Sequence, residues 1–192
     1  MNDNFDKWID FLNPENLRGN LISSSLYIAV YESFQDYIVE EVKFFFHSGF
    51  KDNVDIFSPK YNTSVLAKDK NLLNASLLWL KELGAIDEND IDKFHEIRKF
   101  RNKLTHEMMD LLFEGIPKDL PNYFSDLINL RTKIEKWWVL NIEIPTNPDI
   151  EYSHEISEKD IMTSSQIIYR IILDMLSNDK KTATFYRDEF LT

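Results

Sequence analysis

The fold is decided by residues 20–48, whose sequence is NLISSSLYIAVYESFQDYIVEEVKFFFHS. Gly49 follows directly, at a position where a left-handed glycine commonly ends a helix. The apolar side chains recur mostly every two to four positions, as on a deeply packed helix. They are Leu21, Leu26, Ile28, Val30, Phe34, Tyr37, Ile38, Val42 and Phe45. The stretch therefore predicts one long, deeply packed helix.

Three further main helices follow from the same kind of pattern. The second covers about residues 64–83 and ends before a glycine. The third covers 87–114, with Asp87 as a suitable N-cap and Gly115 directly after it. The fourth covers about 122–140 and follows a turn enclosed by two prolines. With the first long helix, these segments predict an all-α, up-down bundle of four main helices.

The remaining segments predict loops and one additional helix. Residues 50–63, rich in Asn, Asp and Ser, predict a loop, and 143–156, with two prolines, predict a connector. An additional C-terminal helix is expected over about 157–176, headed by a capping box of the Ser-x-x-Asp type. Residues 178–192 are a polar tail that we expect to dock through its aromatic side chains.

Length and composition fit one main domain. The chain has 192 residues, of which 43% are hydrophobic, and this is enough to bury a core. We expect one helical bundle over residues 1–142. A connector and the C-terminal helix, residues 143–192, would pack on that bundle.

The sequence also bears on location. It has no cysteine, which excludes a disulfide framework and a thiolate metal site and favours a reducing cytoplasm. The first residues are acidic, and no apolar run of signal-peptide type follows them. The longest uncharged stretch, residues 19–31, is too short and too rich in serine to span a bilayer. We therefore expect a soluble, cytoplasmic protein with no membrane partner.

The charge is uneven along the chain. A net charge of −11 argues against a protein that coats nucleic acid non-specifically, because neutralising phosphates needs surplus Lys and Arg. Residues 93–103 are the exception, since a single acid, Glu96, is set against five basic side chains. These are Lys93, Arg98, Lys99, Arg101 and Lys103. A local site responds to this local potential more than to the net charge.

The basic segment contains a motif whose side chains are suited to catalysis. Arg101, Asn102 and His106 place a fixed cation, an amide and a titratable imidazole late in the third predicted helix. A polar ridge of His95, Arg98, Asn102 and His106 is expected beside the apolar stripe. Arg101 lies about 140° from His106 around a single helix, so one chain alone does not aim both at a common atom. The alternative is a helix face that is charged only because it is solvated.

These residues resemble a known family. Arg101-Asn102-x-x-x-His106, late in the third helix of an all-α bundle, is similar to the Arg-polar-x3-His signature of HEPN domains. Many of these domains are metal-independent ribonucleases, including toxins of toxin–antitoxin pairs and effectors of anti-phage defence. The resemblance covers roughly residues 20–142. It implies a homodimer in which Arg and His of both chains line one cleft.

The resemblance also implies a chemistry. His106 would act as general acid or base when the ribose 2′-OH attacks the adjacent phosphate, and Arg101 would stabilise the charge on the phosphoryl oxygens. Asn102 would orient the imidazole or the phosphate, and no metal or other cofactor is implied. The expected RNA-binding side chains are His95, Arg98, Lys99 and Lys103. Glu32 is a candidate partner for Arg101; the alternative is a solvated glutamate.

Other functions stay open at this point. His106 is followed by Glu107 and Met108, and not by the His-x-Tyr of HEPN toxins whose tyrosine is modified. A non-catalytic HEPN-like module that binds a nucleotide or a partner protein is the main alternative, and a helical adaptor is a third. Residues 143–192 are candidates for binding an antitoxin or another partner. Trp137 and Trp138 are either a base-stacking platform or one core and one interface residue. The scattered histidines do not predict a zinc site.

Overall fold

The computed structural model describes residues 3–148, 156–176 and 179–191. These residues are mostly helical, which confirms the all-α prediction. The chain divides into two compact units, Met1–Leu130 and Arg131–Thr192. That residues 1–142 form one domain stays a prediction. Over the described ranges, no helix has both the length and the apolar character needed to cross a membrane.

The first unit is built mainly of helices around α2, which spans Pro14–Phe45. Asn13 caps α2 by accepting from the backbone N–H groups of Glu15 and Asn16, and Pro14 occupies the first turn, where its missing N–H costs nothing. The other elements are α1 (Asp3–Phe11), strands β1 (His47–Lys51) and β2 (Val54–Phe57), a π-helical turn (Asn62–Leu66), α3 (Leu72–Glu82), α4 (Glu88–His106), α5 (Met108–Glu114) and the start of α6 (Leu120–Trp138).

The core of this unit lies between α2 and its neighbours α3 and α4. Tyr27, Phe34 and Ile38 of α2 are fully buried, as are Phe94 and Ile97 of α4. The Tyr27 hydroxyl donates to the backbone carbonyl of Ile97, 3.0 Å away, and burial raises the pKa of this phenol. The bond fixes the position of α4 against α2.

The prediction of a loop over residues 50–63 is wrong for the first half of that range. The chain forms an antiparallel hairpin of β1 and β2, and α2 ends at Phe45, before Gly49. Asp52 and Asn53 both have positive φ, 53° and 62°, as a tight hairpin turn requires. Gly49, with φ of +138°, lies in β1 at an irregularity in the strand register and does not end a helix.

The third predicted helix is two helices in the structure. Asp87 and Asp90 form a reciprocal capping box at the start of α4, which confirms the predicted N-cap. The helix ends at His106, because Glu107 leaves the helical region with φ of −114° and ψ of 17°. A short helix, α5, follows and ends at Glu114, directly before Gly115, whose φ is +100°. His106 is therefore the last residue of α4.

The second unit begins within α6 and continues through helices of its own. They are a π-helical turn (Val139–Glu143), α7 (Ile144–Thr146), a 3-10 turn (Glu158–Asp160), α8 (Ser164–Met175) and α9 (Lys180–Phe190). The predicted capping box at Ser157 is present, but it heads only the 3-10 turn. Thr163 caps the main helix instead. The predicted tail is largely helix α9, capped by Asp179, and residues 149–155 of the predicted connector lie outside the described residues.

Candidate functional site

Helix α4 carries most of the candidate residues, and its buried apolar side chains hold it in place. Its apolar side chains are buried as the periodicity predicts, with Phe94 and Ile97 1% exposed and Leu104 fully buried. The polar side chains of the same helix fall on two sides of this buried stripe. One side borders a groove, and the other faces side chains of α2 and α3.

The groove has a volume of about 520 Å³. Helix α4 forms one wall, and the turn before α6 with the first residues of α6 forms the other. The lining residues are Glu96, Lys99, Phe100, Asn102, Lys103, His106, Glu107, Pro117, Asp119 and Tyr123. A space of this size accommodates a small ligand or one nucleotide.

His106 lies in the groove and has no partner among the described residues. Its side chain is exposed, and within the described part of the chain it makes no hydrogen bond or ion pair. The same holds for Lys99 and Lys103, which stand one helical turn apart on the same wall. The imidazole and the two ammonium groups are thus available to a ligand.

Arg101 does not line the groove. Its Nε donates to Glu32 Oε1 on α2 at 2.8 Å, and its Nη2 donates to the same oxygen. Its guanidinium also lies over the Tyr31 ring, with the Cζ atom 5.4 Å from the ring centroid. The expected contact between Glu32 and Arg101 is therefore present. It turns the arginine away from the His106 side of the helix.

Asn102 bridges the two sides of α4. Its Oδ1 accepts from Arg101 Nη1 at 3.1 Å, and its side chain lines the groove. Among the described residues it forms no hydrogen bond with His106, although the sequence places the two one turn apart. In this structure Asn102 orients Arg101 and leaves the imidazole free to turn.

The predicted ridge of His95, Arg98, Asn102 and His106 is divided. Arg98 Nη1 donates to Asn74 Oδ1 of α3 at 3.0 Å, and Arg98 Nη2 lies 3.3 Å from His95 Nδ1. Burial raises the pKa of the neighbouring Tyr31 phenol, while the charges of Arg98 and Arg101 act in the opposite direction. Of the four predicted RNA-binding residues, Lys99 and Lys103 line the groove, and His95 and Arg98 do not.

The opposite wall was not found from the sequence. Tyr123 of α6 stacks on Phe100 of α4, with ring centroids 4.3 Å apart and planes inclined by 16°. Asp119 precedes α6, and its carboxylate has no partner within the described ranges. Glu96 and Glu107 also line the groove, so that it holds three carboxylates and two lysines. Asp119 and Tyr123 come from the segment after α5, and no local pattern marks them.

The remaining candidates lie outside this groove. His47 Nε2 is 3.0 Å from Asp55 Oδ1, without hydrogen-bond geometry, and its ring packs against Phe44 and Phe50. Among the described residues, no three His, Asp or Glu side chains are grouped as ligands of a metal ion. His154 lies outside those residues. Trp138 is buried and Trp137 half-buried, so the pair is not an open stacking platform.

Comparison of the chain with protein-family models, with curated proteins and with solved structures finds no significant match. The likeness to HEPN domains therefore depends on the Arg101–His106 segment and on the order of the helices.

Proposed function

We propose that this chain is a metal-independent endoribonuclease of the HEPN type that acts as a toxin or a defence effector. The main support is the position of His106 in a nucleotide-sized groove beside Lys99 and Lys103, where it has no hydrogen bond or ion pair to any residue that the structure describes. Helices α2, α3 and α4 and the first part of α6 would be the four main helices of the HEPN arrangement. Partner or antitoxin binding by residues 143–192 stays a prediction.

The proposed reaction is a transesterification within RNA. The ribose 2′-oxygen forms a bond to the adjacent phosphorus, and the bond from phosphorus to the 5′-oxygen of the next nucleotide breaks. His106 removes the proton from the 2′-hydroxyl or delivers one to the departing 5′-oxygen. The products are a 2′,3′-cyclic phosphate and a 5′-hydroxyl end.

Arg101 enters the proposal through a second chain. In one chain its guanidinium is held by Glu32 on the side of α4 away from the groove. In a C2 dimer whose interface includes both the Arg101 side and the His106 side of α4, Arg101 of one protomer can stabilise the phosphoryl charge beside His106 of its partner. The pairing with Glu32 would then keep the guanidinium oriented for that role.

The decisive experiment replaces His106. His106→Ala should abolish cleavage of single-stranded RNA and leave the thermal transition unchanged, because the side chain is exposed and forms no hydrogen bond, ion pair or ring contact within the described ranges. His95→Ala is the matched control, since His95 is an exposed histidine of the same helix outside the groove. Equal cleavage by wild type and His106→Ala would reject the assignment. EDTA should leave cleavage intact, and loss of cleavage in EDTA that a divalent ion restores would reject the metal-free mechanism.

A non-catalytic module that binds a nucleotide is the second candidate. It is favoured by the three carboxylates that line the groove, because they oppose a long polyanion more than a single nucleotide. Nucleotide binding without any cleavage by the wild-type dimer would support this candidate.

A further inference from the structure

The size of the groove limits the form of nucleic acid that it can take. Its volume of about 520 Å³ matches one nucleotide and is far too small for a double helix. Proteins that read RNA bases generally bind unpaired nucleotides, whose rings can stack on aromatic side chains. A single-stranded segment with one base inserted is thus the form that fits.

The groove offers a surface for such a base. Tyr123 lines it and is only half-buried, while Phe100, which is 6% exposed, supports the tyrosine ring by stacking. The support holds the Tyr123 ring in one plane, so a base that stacks on it does not have to order it first. Stacking of this kind accepts any base and does not by itself choose one.

The positions of the lining groups orient the nucleotide. Both lysines of the groove, Lys99 and Lys103, stand on the α4 side with His106, so phosphates and ribose would lie beside them, although that side also carries Glu96 and Glu107. Asp119 stands on the Tyr123 wall, and its backbone carbonyl accepts from the Tyr123 N–H at 3.2 Å, which fixes the two residues together. A carboxylate repels phosphate and attracts N–H donors. Of the three lining carboxylates, Asp119 is the one on the same wall as Tyr123, so the edge of a base stacked on that ring would point towards Asp119.

An ionised carboxylate distinguishes among bases because it can only accept hydrogen bonds. Guanine presents two adjacent donors, N1–H and the N2 amino group, which match the two carboxylate oxygens. Adenine and cytosine present one amino group beside a ring nitrogen that is itself an acceptor. Uracil presents one N–H between two carbonyl oxygens. In the last three cases a carboxylate oxygen meets another acceptor.

We propose that the groove selects an unpaired guanine, with the base stacked on Tyr123 and its N1–H and N2 amino donors bound by Asp119. The guanine would adjoin the phosphate that Lys99 and Lys103 hold. The link to cleavage rests on the proposed ribonuclease function, whereas the selection of guanine is a property of binding. The two can therefore fail separately.

The test measures binding of labelled RNA pentamers to the His106→Ala chain by fluorescence anisotropy. The pentamer UUGUU should bind about tenfold more tightly than UUAUU, UUCUU or UUUUU, near the lower end of the range for a bidentate base contact because Asp119 is exposed. Asp119→Asn should reverse the preference in favour of UUAUU, because an amide can both accept from and donate to adenine. Equal binding of all four pentamers would overturn the proposal.

Four further variants separate base recognition from charge and fold. Asp126→Asn removes the same charge from α6 at a residue that pairs with Lys93 and does not line the groove, so the guanine preference should persist. Tyr123→Leu should weaken binding of every pentamer about tenfold, and Tyr123→Phe should restore it. Loss of the preference in Glu107→Gln but not in Asp119→Asn would refute the role of Asp119. Cleavage by wild type without a guanine preference would refute the selection of guanine and leave the proposed ribonuclease function standing. A guanine preference in binding without any cleavage would refute the ribonuclease function and leave the selection of guanine standing.

Discussion

Replacing Glu32 should destabilise the protein through Arg101. Glu32→Ala removes the oxygen that accepts from both Nε and Nη2 of that arginine. The guanidinium would keep its contact with Asn102 Oδ1 at 3.1 Å and its position over the Tyr31 ring. Neither of these carries a full negative charge, so a side chain that is only 25% exposed would lose its counter-ion.

The size of the effect follows from the burial of the pair. Exposed ion pairs contribute about 0.2–1 kcal/mol, and breaking a fully buried pair costs about 3–5 kcal/mol. The side chains of Arg101 and Glu32 are 25% and 39% exposed, so this pair falls between the two cases. We expect Glu32→Ala to lower the free energy of unfolding by about 1–2 kcal/mol. With a urea dependence of about 2 kcal/mol/M, the midpoint should fall by about 0.5–1 M.

The assay is urea unfolding of wild type and variants, followed by far-UV circular dichroism. Glu40→Ala is the matched control, because Glu40 is an exposed glutamate of the same helix with no partner in the described part of the chain. Glu32→Ala combined with Arg101→Ala should cost less than the sum of the two single changes by about 1 kcal/mol. A Glu32→Ala midpoint equal to that of Glu40→Ala would refute the reasoning.

Two further predictions concern the core and the assembly. Tyr27→Phe should lower the free energy of unfolding by about 1 kcal/mol at neutral pH, because the hydrogen bond to Ile97 is lost. Burial raises the folded-state pKa of Tyr27 above its unfolded value of about 10, so the stability that its neutral form contributes is fully present below pH 10 and is lost as the pH rises further. In urea titrations above pH 10, wild type should therefore lose stability relative to Tyr27→Phe. An inactive Arg101→Ala chain mixed with an inactive His106→Ala chain should regain part of the RNA cleavage, since each mixed dimer holds one intact Arg and one intact His; no recovery, or a monomer by light scattering at micromolar concentration, would contradict the shared site.

The helices were predictable where the local signal and the tertiary structure agree. The Asp87 cap and the burial of Val30, Phe34, Ile38 and Val42 follow from spacing and side-chain chemistry alone. Leu21 and Phe45 of the same predicted stripe are exposed. The β1–β2 hairpin could also have been predicted, because Asp52-Asn53 between Phe50 and Val54 is a favourable tight-turn pair. The break at Glu107 could not, since no proline or glycine marks it and the apolar periodicity continues across it.

The candidate site was predictable only along one helix. The sequence identifies His106, Lys99 and Lys103 as polar residues of the same segment, and they do line one groove. Periodicity cannot say which way a long arginine side chain turns, because that depends on an acceptor 69 positions away in sequence. The wall that holds Asp119 and Tyr123 likewise depends on tertiary packing.

The pairing of Arg101 with Glu32 also constrains how this sequence can change over generations. A lineage that loses the arginine leaves a partly buried carboxylate without its counter-ion, and a lineage that loses the glutamate leaves the arginine in the same condition. Selection for stability would therefore tie substitutions at the two positions together, whether or not a descendant cuts RNA. Joint variation at positions 32 and 101 would then record the fold, whereas variation at position 106, which has no such partner among the described residues, would record the proposed chemistry.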